Sequence, residues 1–126
     1  MTGTAQIKLK IQLMCGEEIA MGPGKADLLD AIKTHGSISA AGRAMEMSYR
    51  RAWMLVDVMN RCWREPLVAT SPGSSHGGGA RVTPFGETVL AQYRALQAAL
   101  SRASDCPAHA ALAAAMLAEP RASQKG

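Results

Sequence analysis

The sequence contains few aromatic residues: two tryptophans, two tyrosines and one phenylalanine among 126 residues. Apolar residues nevertheless make up 48% of the chain, so its core must rest on aliphatic side chains, methionine and alanine. Such a core favours packed helices over a β-sandwich. A chain of this length is expected to form one domain with a modest core.

Cysteines are also few, and their placement excludes two common kinds of site. Cys15, Cys62 and Cys106 are odd in number and far apart, so neither a disulfide framework nor a zinc site is predicted. Cys62 has Arg61 and Arg64 nearby, and such cations can lower a thiol pKa. Its position on an apolar helix face instead predicts a buried, inert thiol.

Long apolar runs are missing, and so is any recognisable catalytic constellation. No stretch approaches the roughly 20 residues that span a bilayer. Lys8 and Lys10 interrupt the first apolar stretch, so no secretory signal is predicted and a cytoplasmic location is expected. The sequence shows no paired acid and base, no nucleophile beside a placed histidine and no cofactor loop. The chain is therefore predicted not to be an enzyme and to need no cofactor.

Acidic residues are scarce in the middle of the chain. The formal net charge is +4, and seven basic residues but only three acidic ones lie between Lys33 and Arg81. A basic surface suits a polyanionic partner without proving one.

Apolar periodicity predicts a mainly α fold with a small β component, an α+β class. Alternation of apolar and lysine or glutamine residues predicts a strand, and apolar spacings of three and four residues predict helices. The predicted elements are, in chain order, a hairpin of strands 7–13 and 19–21, helices 25–35, 38–45 and 49–63, strands 67–70 and 81–83, a helix 85–103 and a final helix within 108–119.

Residues with a preference for helix ends separate the first three helices. Gly36 is placed to end the first helix, and Ser37 and Ser48 are placed to cap the next two. Glu46 and Met47 must form a tight turn between the second and third helices. The third helix is apolar on one face, and Trp53 and Met54 are also predicted to lie in the core.

This order of elements is typical of a winged helix-turn-helix protein. A short helix of small residues packed across a longer one lets the end of the longer helix project into the DNA major groove. The recognition helix would span about 48–63, with Ser48, Tyr49, Arg50 and Arg51 at its projecting end, where free amides and arginines favour phosphate and guanine. The wing would span about 70–81. Its predicted donors to the DNA backbone are Ser74, Ser75, His76 and Arg81.

The last long helix carries an apolar stripe that predicts self-association. Its members repeat at steps of three and four residues: Phe85, Val89, Tyr93, Leu96 and Leu100. At 1.5 Å per residue the helix is roughly 27 Å long, more than so small a core is expected to cover. A homodimer formed along this helix would present two recognition helices to a palindromic operator.

Two segments resemble a known family. The run from Ser37 to Ala41 and the run from Met47 to Trp53 resemble the N-terminal DNA-binding domain of ModE-type, molybdate-responsive transcription regulators. The 77–79 glycines and the 82–86 segment that follows them extend the likeness, which covers roughly 7–102. A more distant likeness is to the N-terminal domain of LysR-type regulators.

The resemblance implies a sequence-specific, DNA-binding regulator of transcription. It also implies molybdate as an effector, but only 23 residues follow Ala103, which is too few for the C-terminal molybdate-binding domains of the family. The predicted organisation is a DNA-binding domain at 1–84, a dimerisation helix at 85–103 and an Ala-rich tail at 104–126. Two alternatives stay open: a DNA-binding switch that responds to an oxyanion (molybdate or tungstate) or to an oxidant, and a winged-helix module that binds protein.

Overall fold

A computed structural model of the chain describes residues 6–72 and 79–125. Within them lie five helices and two small antiparallel sheets, an α+β arrangement. In chain order the elements are β1 (Leu13–Cys15), β2 (Glu18–Met21), α1 (Pro23–His35), α2 (Ile38–Ala44), α3 (Tyr49–Cys62), β3 (Val68–Thr70), β4 (Ala80–Val82), α4 (Pro84–Ala103) and α5 (Pro107–Ala115).

The chain forms two compact units. One comprises Lys10–Ala95 and contains the first seven elements with the first part of α4. Its core is a cluster of aliphatic side chains, in which Leu28, Leu29 and Ile32 of α1 are fully buried. Among the described residues, the other unit comprises 96–125 together with 6–9. No helix in the described part of the chain is long and apolar enough to cross a membrane.

The predicted helix ends in the first unit are confirmed. Gly36 ends α1 with a φ of 74°, the left-handed conformation that glycine adopts without strain. The Ser37 hydroxyl accepts a hydrogen bond of 3.0 Å from the Ala40 amide, and the Ser48 hydroxyl accepts one of 3.1 Å from the Arg51 amide. Both serines therefore cap helices as predicted.

The turn between α2 and α3 is a Schellman motif with a glutamate in the left-handed position. Glu46 has a φ of 58°, and its amide donates to the Arg43 carbonyl at 3.0 Å. The Met47 amide donates to the Gly42 carbonyl at 2.9 Å. A Cβ on Gly42 would lie 3.1 Å from the Ala52 Cβ, so the absence of a side chain there lets α2 approach α3 closely.

The N-terminal hairpin is shorter than predicted. Within the described residues β1 begins only at Leu13, which pairs with Met21, and residues 6–12 form no strand. The prediction of a strand over 7–13 is therefore wrong for most of its length. Residues 7–12 have no strand to pair with, because β2 ends at Met21 and α1 begins at Pro23.

A glycine allows the junction between the second hairpin and α4. The Thr83 hydroxyl donates to the Pro66 carbonyl at 2.8 Å and accepts from the Gly86 amide at 2.9 Å, so Thr83 caps α4. A Cβ built on Gly86 would overlap the Leu67 carbonyl oxygen and lie 2.8 Å from a Val82 methyl group. Only glycine lets α4 begin against this hairpin.

The first three turns of α4 are fixed to α1 within the Lys10–Ala95 unit. Arg94 forms ion pairs of 2.9 Å with Asp27 and 2.7 Å with Asp30, and Lys33 pairs with Glu87 at 2.8 Å. These pairs orient the helix on the core.

Candidate nucleic-acid interface

The N-terminal end of α3 projects its polar side chains into solvent. Ser48, Tyr49, Arg50 and Arg51 are all exposed. Within the described part of the chain neither Arg50 nor Arg51 has a side-chain hydrogen bond or ion pair. The structure thus brings the four predicted contact residues of this helix together, with two guanidinium groups available to an external anion.

Trp53 and Met54 lie on the same exposed face, and the prediction that they belong to the core is wrong. Trp53 is 42% exposed and Met54 is 59% exposed. The inward face of α3 is already filled by Ala52, Val56 and Met59, which are fully buried. A shallow groove of about 420 Å³ therefore lies along the outer face, lined by Tyr49, Arg50, Trp53, Met54 and Asp57.

The C-terminal half of α3 is held to the first hairpin. Arg61 donates to Asp57 at 2.9 Å, one helical turn away, and to Glu18 of β2 at 3.4 Å. The hydrogen bond that Arg61 donates to the Asp57 carboxylate is the main reason that the pKa of Arg61 is raised. The Trp63 indole N–H donates to the Ala20 carbonyl at 3.1 Å. These contacts fix this half of the helix while its other end stays exposed.

Asn60 fixes the second hairpin to α3, a role that the sequence analysis missed. Its Oδ1 accepts from the amides of Leu67 at 2.9 Å and Val68 at 3.1 Å, and its Nδ2 donates to the Val68 carbonyl at 3.0 Å. A single asparagine thus replaces a strand partner at the start of β3. The only sequence signal is an amide side chain on an otherwise apolar helix face, eight residues before a strand.

The second hairpin forms as predicted, with bounds that differ by one residue. Ala69 pairs with Arg81, and the Ser71 amide donates to the Gly79 carbonyl at 2.8 Å. The Ala80 amide donates to the Gly36 carbonyl at 2.8 Å, which joins β4 to the end of α1. Arg81 is exposed, without a side-chain partner among the residues described here. The predicted wing residues Ser74, Ser75 and His76 lie outside the described residues.

Two titratable groups near the helices have pKa values shifted mainly by burial. Burial lowers the pKa of the Lys25 amine. The negative charge of Glu18 opposes this shift, and the positive charge of Arg51 adds to it. Burial and the neighbouring Cys15 thiol raise the pKa of Cys62 above its usual range. Cys62 is half-buried and not fully buried as predicted, and a raised pKa favours its unreactive thiol form.

The predicted dimerisation stripe is divided between buried and exposed positions. Val89 and Tyr93 are buried in the core of their own chain, and the Tyr93 hydroxyl donates to the Ile11 carbonyl at 2.7 Å. Phe85 and Leu96 are half-buried, and Leu100 is 42% exposed. The side chains available to a second copy are therefore those at the C-terminal end of the stripe.

Comparison with known proteins finds similar sequences that match about two thirds or more of this chain. The chain is 44% identical over 82 residues to the molybdenum-pterin-binding protein MopB of Rhodobacter capsulatus, a match that covers 65% of this chain and 30% of MopB. It is 40% identical over 90 residues to the molybdenum transport protein ModE of Azotobacter vinelandii, which covers 68% and 33% of the two chains. The chain is homologous to the ModE-type proteins.

The likeness predicted from the 37–53 segment is thereby confirmed. The DNA-binding transcriptional dual regulator ModE of Escherichia coli K12 is 29% identical over 100 residues, 79% of this chain and 38% of that protein. The chain thus spans about a third of the length of the ModE-type relatives that it matches. No protein-family model matches it. Within the described residues, no group of three or more histidine, cysteine, aspartate or glutamate side chains is arranged to hold a metal ion.

Proposed function

We propose that this chain is a sequence-specific DNA-binding regulator of transcription with a winged helix-turn-helix fold, acting as a homodimer on a palindromic operator. In this proposal α3 enters the major groove and the β3–β4 hairpin is the wing on the flanking backbone. The homologue of Escherichia coli is named a DNA-binding transcriptional regulator, which supports the same function here.

The observation that carries the proposal is the exposed arginine pair at the N-terminal end of α3, which has no side-chain partner among the described residues. Arg50 and Arg51 lie in the first turn after the serine that caps the helix, and both are exposed. Arginine binds guanine O6 and N7 with two hydrogen bonds, and helix N-termini favour phosphate oxygens. The Ser48 hydroxyl, which accepts from the Arg51 amide, keeps its own proton to donate to a phosphate oxygen.

The hairpin adds a second basic contact. Arg81 is exposed on β4, and β4 is joined to α1 through the Ala80–Gly36 hydrogen bond and to α3 through the Asn60 contacts with β3. A hairpin fixed at its base can present its tip to a sugar-phosphate backbone beside the groove that the helix occupies.

Selection of DNA from a random pool by the purified chain tests the proposal. We expect an enriched palindrome, because a two-fold symmetric dimer reads two equivalent half-sites. Its affinity should fall steeply as the salt concentration rises, since bound phosphates release counterions. Failure to enrich any sequence at low salt would contradict DNA recognition. Enrichment of one half-site alone would leave recognition standing and contradict the dimer.

A further inference from the structure

The exposed face of α3 carries an apolar cluster that the proposed phosphate and guanine contacts leave unexplained. Tyr49 is 55% exposed, Trp53 is 42% exposed and Met54 is 59% exposed. Of the described residues between Lys10 and Ala95, the one other large hydrophobic side chain with comparable exposure is Met14 in β1. Three such side chains on the first two turns of one helix therefore form a surface feature, not scattered exposure.

Packing within the chain gives no reason for this cluster. The buried face of α3 is complete, because Ala52, Val56 and Met59 have no exposed surface. Turning Trp53 inward would displace side chains that are already fully packed. These apolar side chains are therefore available to bind another molecule.

Charge around the groove favours duplex DNA as that partner. Arg50 lines the groove and has no ion pair in the described structure, whereas Asp57, which also lines the groove, is neutralised by Arg61 at 2.9 Å. The occupant should therefore be anionic at its rim and apolar at its centre. The DNA major groove has phosphates along its rim, and the C5 methyl group of thymine is the apolar feature on its floor.

We infer that Trp53 and Met54 select thymine by packing against its C5 methyl group. The inference rests on the proposed function and adds to it: the arginines would position the helix, and the apolar pair would specify the base. A thioether has no hydrogen that could donate to a base edge, so Met54 discriminates through this methyl contact. Trp53 lies beside Met54 in the same groove and completes the apolar surface around the methyl group.

Replacing thymine with deoxyuridine tests this contact, because the substitution removes only the methyl group. Each thymine of the selected operator would be replaced singly, and the dissociation constant would be measured by fluorescence anisotropy. The free energy of burying one methyl group corresponds to a loss of about three- to fivefold in affinity. We expect that loss at one or two positions in each half-site and less than a twofold change elsewhere.

Variants of the protein link the effect to the groove. In Trp53→Ala or Met54→Ala the difference between thymine and deoxyuridine should disappear at the sensitive position. Met14→Ala is the matched control, since it removes an equally exposed methionine that lies on β1, and it should keep the full difference.

Two outcomes would overturn the inference and leave the proposed function standing: an operator whose affinity is unchanged by deoxyuridine at every position, or a thymine effect that persists in both groove variants. Absence of any specific DNA binding would remove the proposed function as well. Because the deoxyuridine series uses the wild-type protein, its result does not depend on whether the variants fold.

Discussion

The two halves of α3 differ in what holds them. The N-terminal half exposes its arginines, its tyrosine and Trp53 to solvent, and the Ser48 cap and the packing of Ala52 and Leu55 restrain it. The C-terminal half contacts both hairpins, through Trp63 to Ala20 and through Asn60 to β3. The C-terminal half therefore fixes the helix in the fold, and the N-terminal half is accessible to a ligand. Substitutions in the first half should change binding, whereas those in the second should change stability.

The largest expected effect is the loss of stability when Asn60 is substituted. Asn60→Ala removes two hydrogen bonds to Val68 of β3 and one to Leu67 just before it, so we expect the free energy of unfolding to fall by about 2–3 kcal/mol, measured by urea denaturation. Asn60→Asp keeps an acceptor for the two amides and loses the donor, and its loss should be smaller. Equal stabilities of the wild type and the alanine variant would show that these bonds do not hold the hairpin.

The second largest effect is on binding rather than stability. Arg50→Ala should weaken binding to the selected operator by roughly 1–3 kcal/mol and relax the choice of base at one position. Its urea midpoint should match that of the wild type, because the side chain has no partner in the described structure. An equal loss of affinity on all sequences would reassign Arg50 to a phosphate contact.

Trp63→Phe should have an intermediate effect on stability. The phenyl ring keeps an aromatic group at this position but lacks the indole N–H, and losing the bond to the Ala20 carbonyl costs about 1 kcal/mol of unfolding free energy. Thermal melts of this variant and of Trp53→Phe compare the contributions of the two tryptophans to stability. Because Trp53 is exposed, Trp53→Phe should leave the stability unchanged. Similar losses in both variants would contradict the difference between the two halves of the helix.

The smallest expected effect is a gain in stability when Glu46 is replaced by glycine. Glu46 occupies the left-handed region, where glycine has no Cβ penalty, so Glu46→Gly should raise the unfolding free energy by about 0.5 kcal/mol. Glu46→Val is the opposing variant and should lower it. A loss in the glycine variant would mean that the flexibility gained by the unfolded chain outweighs the strain relieved in the turn.

Most of the helical part of this fold could be predicted from the sequence because its signals are local. Ser37, Ser48 and Gly36 act on helix ends within a few residues of themselves, and the helix bounds accordingly fall within about two residues of those predicted for the first four helices. The predicted strand over 7–13 is too long because the alternation of apolar and polar residues indicates an apolar face. It does not indicate the length of the strand with which that face pairs.

The candidate site was harder to predict than the fold. Trp53 and Met54 were assigned to the core because large apolar residues are usually buried, and the sequence does not show that smaller neighbours already fill the inward face. The Asn60 contacts depend on where β3 passes the helix, which is a tertiary relation. The exposure of the arginine pair could be predicted because its place just after a helix cap is visible in the sequence, whereas its contact with DNA stays a prediction.

The crowding at Gly86 has a consequence for genetics. A methyl group there collides with the hairpin backbone, so a substitution would lower the amount of folded protein in the cell without altering any proposed DNA contact. In a reporter screen such an allele would be scored together with Arg50→Ala. An immunoblot separates them, since only the arginine allele should accumulate to wild-type abundance.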